Sequence, residues 1–138
     1  VLVDGKDTQE EPVKNLSQLV GHMLQDPETM FATLYVEDEI AFGPENLLLE
    51  PDEISRRTEK LLEDIQLSPF RQNLVWNLSG GQIQKLGLAV ILAMKPAIAS
   101  SVNRIPSSVQ LPAVEESAYL RENVNSSFYS MRFIWLVP

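Results

Sequence analysis

Two stretches of the chain carry residue types and spacings suited to chemistry. The first is Leu78-Ser79-Gly80-Gly81-Gln82, at the head of an apolar run that closes at Pro96. Ser79 is a good N-cap, because its hydroxyl can accept from a first-turn amide or donate to a ligand oxygen. Gly80 and Gly81 remove side chains, so backbone N–H groups can approach an anion closely. A helix starting there presents the positive end of its dipole, about half an elementary charge. Gln82 adds a neutral amide. On spacing alone the stretch reads either as a structural cap, the commoner use of Ser-Gly before a helix, or as a phosphate-binding loop. The second stretch is Gln25-Asp26-Pro27-Glu28, where the residues before proline are biased away from helix and belong in a loop. His22, the single histidine, sits in the apolar run Leu19–Leu24 and reads as structural. With one histidine and no cysteine, the composition argues against a transition-metal site.

The elements that must hold these stretches follow from periodicity and breakers. Val1–Val3 before Asp4-Gly5 reads as a strand entering a tight turn, and Leu19–Leu24 as a short buried strand. Val36 and Ile40 stand at helical spacing in Val36–Phe42, and Gly43-Pro44 is expected to stop that helix. Pro51–Leu67 is the clearest surface helix. Proline and acids fill its first turn, and Ile54, Thr58, Leu61, Leu62 and Ile65 form one stripe. The helix after Gly81 carries Ile83, Leu86, Gly87, Val90, Ile91 and Met94 on one face. Leu88, Ala89, Leu92 and Ala93 make its remaining surface apolar, so burial on several sides is expected. From Ala99 onward the composition turns serine-rich and sustains neither a helical nor an alternating pattern.

At 138 residues the chain fits one domain or a piece of one. A formal charge of −8 argues against non-specific nucleic-acid binding, which needs a basic surface. The longest uncharged apolar run, Leu86–Met94, is far short of the ~20 residues that span a bilayer, so no direct membrane insertion is expected. No basic and then apolar leader opens the chain. The acids are unevenly placed: 16 of the 19 lie at or before Asp64, and none falls between Ile65 and Ile98. An anionic ligand would meet least repulsion in that window, which contains the Ser-Gly-Gly stretch.

"LSGGQIQKLGLAVILAMKP" resembles the signature motif and following helix of ABC-transporter ATPases. "VGHMLQDPETMFATLYVEDEIAFGPENLLLEPDEI" is similar to the Q-loop and helical-subdomain start of their energy-coupling-factor branch, and "VLVDGK" to the strand and turn after the family's first nucleotide-binding helix. The resemblance implies an α/β fragment of an ABC ATPase domain, mainly its helical subdomain with a few short strands. It covers residues 1–98, with 99–138 a divergent tail, poorly ordered or outside the family. Leu78, Ser79, Gly80, Gly81 and Gln82 would be the signature loop, which in the family touches the γ-phosphate of ATP held by the opposite subunit. Gln25 would be the Q-loop glutamine, near the magnesium and attacking water. Met30 departs from the glutamine common at its position. The resemblance further implies ATP and Mg²⁺ shared with a second ATPase subunit, a transmembrane partner subunit, and a cytoplasmic place at the inner face of the membrane. Glu37–Glu39 and "AFGPEN" would lie near the membrane subunit's docking helix, or form a solvated helix face. "FATLYVEDEIAFGPENLL" leans towards the thiamine-precursor type.

A complete ATPase of this class needs a Walker A loop, G-x-x-x-x-G-K-[ST], and a Walker B strand ending in Asp-Glu. Gly5-Lys6 does not supply the first, because Asp7 stands where a hydroxyl is required and would repel phosphate. After Pro96, "ASSVNR" is expected to replace the Walker B strand and its acids; in Leu111–Glu116 Pro112 would interrupt a central strand. His22 precedes the Q-loop and so cannot match the switch histidine. The expected function is therefore the signature-bearing part of an importer ATPase that hydrolyses nothing alone, from a truncated, frame-disrupted or rearranged gene. The alternative is a catalytically inactive remnant or accessory binding module.

Overall fold

Apolar spacing and helix breakers account for most of the architecture. The computed structural model describes residues 2–3, 6–7, 9–96 and 98–101. In chain order come β1 (Leu2–Val3), β2 (Lys6–Asp7), α1 (Val13–Leu19), β3 (Val20–Met23), α2 (Val36–Asn46), α3 (Pro51–Asp64), α4 (Gly80–Ala93) and β4 (Ile98–Ser101). Short 3₁₀ turns stand at Pro27–Met30, Ser68–Phe70 and Val75–Asn77. β1 and β2 form an antiparallel hairpin, with Leu2 opposite Asp7 and Val3 opposite Lys6. β3 and β4 pair in parallel, Val20 opposite Ile98 and Met23 opposite Ser101.

This last pairing corrects one expectation. Ile98–Ser101 forms a strand where "ASSVNR" was expected to leave none, because a parallel ladder is built from backbone groups and accepts serines. The expected break after residue 98 thus falls inside a strand. The serine-rich remainder, residues 102–138, lies outside the described residues, as does Leu111–Glu116.

α4 is the centre of the structure. Leu86, Gly87, Leu88, Ala89, Ile91 and Ala93 are all buried, and consecutive helical positions point in different directions, so the helix is covered on several sides as its sequence requires. α2, α3, β3 and the Pro27–Met30 turn all pack on it. Val36 and Ile40 of α2, Leu61, Leu62 and Ile65 at the end of α3, Leu67, Val75 and Leu78 complete the core.

Two further expectations fail for identifiable reasons. Gly43-Pro44 does not stop α2, which runs on to Asn46. Pro44 sits in the last turn, and the carbonyls of Gly43 and Pro44 still accept from Leu47 N–H (3.1 Å) and Leu49 N–H (3.3 Å). Gly43 serves close packing instead, since a Cβ there would lie 2.7 Å from Met94 Cγ. β3 is covered on one face only, where a buried strand was expected: Gly21 and Met23 are buried, and His22 and Leu24 are exposed.

Among the described residues, three non-glycine positions adopt left-handed backbone, each just past a helix: Leu48 (φ 56°), Gln66 (φ 60°) and Lys95 (φ 49°). α2 and α3 close as Schellman motifs, in which Leu49 N–H donates to the Pro44 carbonyl and Leu67 N–H to the Leu62 carbonyl (2.8 Å).

Candidate functional site

Leu78 anchors the first stretch. It is buried in the core, which fixes the chain where α4 begins, while Ser79, Gly80 and Gly81 stay exposed. Ser79 is extended (φ −68°, ψ 158°) and forms a full capping box with Gln82. Gln82 Oε1 accepts from Ser79 N–H at 2.8 Å, and Gln82 N–H donates to Ser79 Oγ at 3.4 Å. The cap is therefore real, and it leaves the Ser79 hydroxyl hydrogen available to an acceptor. Gly80 and Gly81 occupy the first turn, whose N–H groups have no intrahelical partner. A Cβ at either glycine would meet nothing within 4 Å, and neither has left-handed backbone. Internal packing gives no reason for glycine here; the room faces outward, over amides at a helix N-terminus.

The approach to this loop is held from Leu34–Glu37, where α2 begins. Tyr35 and Leu74 form an antiparallel bridge, Val75 N–H donates to the Leu34 carbonyl (2.9 Å), and Val36 N–H donates to the Asn73 carbonyl (3.1 Å). Arg71 pairs with Glu37 of α2 at 2.8 Å, and Gln72 also donates to Glu37. Of the expected acidic face, Glu37 is thus spent on an internal tie.

Gln25 is exposed, at the start of the turn that continues through Pro27. Thr29 closes the turn, its N–H (3.1 Å) and hydroxyl (2.7 Å) both donating to the Asp26 carbonyl. Its exit is held by Glu39, which is 1% exposed. The Glu39 carboxylate accepts from Ala32 N–H (3.0 and 3.1 Å), Thr33 N–H (2.7 Å) and the Thr33 hydroxyl (2.7 Å). Pro27 itself packs against α4 at Gly87, about 10 Å along the helix from Gly80 at 1.5 Å per residue. The turn that carries Gln25 thus packs at the middle of α4, while Leu78–Gln82 stands at its start.

The far end of α4 is clamped by α3. Arg57 Nη1 donates to the Ala93 carbonyl at 2.8 Å, a cation at a helix C-terminus, while its Nε donates to Glu53 at 2.6 Å. Arg56 and Lys95 (3.6 Å) also pair with Glu53. Hydrogen bonds from Arg56 and then Arg57 hold the Glu53 carboxyl down at about 2.

Comparison with known proteins decides the family. The family model described as ABC transporter matches residues 1–100. The chain belongs to the ABC transporter family. The energy-coupling factor transporter ATP-binding protein EcfA of Methanosarcina acetivorans is 45% identical over 97 residues, 70% of this chain and 35% of the relative. YkoD of Bacillus subtilis, whose name assigns it to HMP/thiamine import, is 41% identical over 91 residues, 66% of this chain and 17% of the relative. Among solved structures, cbiO1 from Clostridium perfringens, part of the ABC transporter complex cbiONQ, superposes with a TM-score of 0.64 at 27% identity. That match covers 71% of this chain and 40% of cbiO1. The chain spans less than half the length of each of these proteins.

Within this ABC transporter chain, sequence reasoning singled out Leu78–Gln82 and Gln25 but missed the residues that hold the two stretches. Arg57 had no signal of its own. Glu39 did have one, since it follows Val36 by three residues and precedes Ile40, on the buried side of α2. No described helix is long and apolar enough to cross a membrane.

Proposed function

We propose that this chain contributes its signature loop, Leu78–Gln82, to ATP held by a second ABC ATPase subunit in an energy-coupling-factor importer. The observation that carries the reading is the outward room at Gly80 and Gly81, over first-turn amides that packing leaves uncovered. The acid-free window from Ile65 to Ile98 supports an anionic ligand. Ser79 and the first-turn N–H groups would bind the γ-phosphate oxygens, and Gln25 would stand near Mg²⁺ and the attacking water. The nucleotide with its metal would supply the transferable phosphoryl group. Relatives named EcfA and YkoD, and cbiO1 within cbiONQ, support a transmembrane partner subunit, a peripheral place at the inner membrane face, and a vitamin or metal-ion cargo. Residues 1–98 would form the family domain.

On this reading the partner subunit holds the phosphates that the signature loop touches, so the chain alone is expected to bind Mg-ATP weakly. Calorimetry tests this. Titrating Mg-ATP into the full chain is expected to give no tight binding, and tight binding by the chain alone would overturn the reading.

A further inference from the structure

We propose, building on the trans role given above to Leu78–Gln82, that Trp76 stacks on the base of the same ATP whose γ-phosphate that loop meets. Trp76 is 60% exposed, although tryptophan is on average a highly buried residue type. Its backbone is held all the same. Val75 and Leu78, which flank Trp76 and Asn77, are both buried in the core. Val75 N–H donates to the Leu34 carbonyl (2.9 Å), Asn77 N–H to the Leu74 carbonyl (3.0 Å) and Leu78 N–H to the Val75 carbonyl (3.3 Å). The turn is fixed while most of the indole stays in solvent. An aromatic ring on a fixed backbone loses little freedom when a partner covers it, so Trp76 is preorganised for a contact that this chain does not supply.

The surroundings point to the chemistry of that partner. Gln72, Asn73, Asn77 and Ser79 are exposed and polar. A protein anchor is normally ringed by other well-packed contacts, whereas a purine asks for one aromatic face with polar groups around it. Trp76 has the second kind of setting. Four residues separate it from Gly80, and at ~3.3–3.6 Å per residue the two backbones lie within about 14 Å of each other. An extended nucleoside triphosphate bridges such a gap from its γ-phosphate to its base. No acid between Ile65 and Ile98 repels the phosphates lying between the two contacts. A purine has two faces, so the subunit that holds the ATP can cover one and leave the other to Trp76. The first-turn amides and the indole then grip opposite ends of one nucleotide.

Photolabelling and affinity test this together, on the full chain mixed with a complete ABC ATPase subunit. The probe is Mg-2-azido-ATP, whose reactive group sits on the base. Irradiation is expected to label this chain within residues 72–77, and Trp76→Ala is expected to abolish that label. Sedimentation velocity in Mg-ATP gives the affinity. Loss of base–aromatic stacking corresponds to roughly five- to hundredfold in binding, so Trp76→Ala is expected to weaken the complex at least fivefold. Trp76→Phe, which keeps an aromatic face, is expected to stay within about threefold of the parent. Because Trp76 is exposed, neither variant removes core packing.

A complex that forms in Mg-ATP but carries label only on the partner subunit overturns the stacking and leaves the trans-signature reading intact. So does a Trp76→Ala complex as tight as the parent's. Weakened association without label on residues 72–77 makes Trp76 a contact for the partner's protein surface, which also overturns the stacking. If the parent chain forms no complex in Mg-ATP at all, the trans-signature reading fails and the stacking falls with it.

Discussion

Glu39 gives the sharpest test of how the turn at Pro27–Met30 is held. The carboxylate is 1% exposed and accepts four close approaches from three donors: Ala32 N–H, Thr33 N–H and the Thr33 hydroxyl. Hydrogen bonds to a charged group are each worth about 1.5–3 kcal/mol, but burying the charge gives back several kcal/mol. What a substitution reads is therefore the cost of the donors left behind. Glu39→Ala leaves all three without an acceptor and opens a cavity, at about 1–3 kcal/mol per buried donor before relaxation. Water reaching the loop will satisfy some of them, so the expected loss is about 3 kcal/mol. Glu39→Gln keeps the shape but replaces one oxygen with an NH₂ that must face donors, and the expected loss is about 2 kcal/mol. Urea denaturation of the full chain, followed by far-ultraviolet circular dichroism, measures both. The reasoning is refuted if Glu39→Gln stays within about 0.5 kcal/mol of the parent and the Thr33 amide keeps its protection.

Other consequences follow from single groups. The buried Thr58 hydroxyl has no hydrogen-bond partner, so Thr58→Val, which keeps the shape, is expected to raise stability by about 1 kcal/mol in the same urea assay. Gln66 holds left-handed backbone at the α3 terminus, and Gln66→Gly is expected to stabilise by about 0.5–1 kcal/mol, as a rise in the urea midpoint at constant slope. Glu53 has a folded-state pKa lowered from 4.5 to about 2 by Arg56 and Arg57, so its contribution is present above about pH 4.5 and is lost as pH falls towards 2. Glu53→Gln should flatten the stability–pH curve in that window and leave its shape above pH 5 unchanged.

How much could be read from the sequence varied with how local the cause was. α3 and α4 were legible because their stripes, first-turn residues and breakers lie within the elements themselves, and the Asp4-Gly5 signal marked the β1–β2 hairpin for the same reason. The end of α2 was not legible, because Gly43-Pro44 answers to Met94, fifty residues away, rather than to its own turn. β4 was missed because its partner, β3, lies far back in the chain and its serines carry no strand pattern. In the site, Ser79 and Gln82 showed their cap directly through spacing. Glu37 and Glu39 looked alike among neighbouring acids, yet one ties α2 to Arg71 and the other is buried and accepts from Thr33, just after the Pro27–Met30 turn. Charge alone does not separate such roles; the helical offset from Val36 does.

The central claim is that the Ser79–Gly81 surface closes on a nucleotide held by another subunit. Sedimentation velocity of the full chain mixed with a complete ABC ATPase subunit measures that closure directly. The account predicts a complex in Mg-ATP that is absent in Mg-ADP and absent when Ser79→Arg fills the room over the first-turn amides. Association that is indifferent to nucleotide, or that survives Ser79→Arg undiminished, would contradict it.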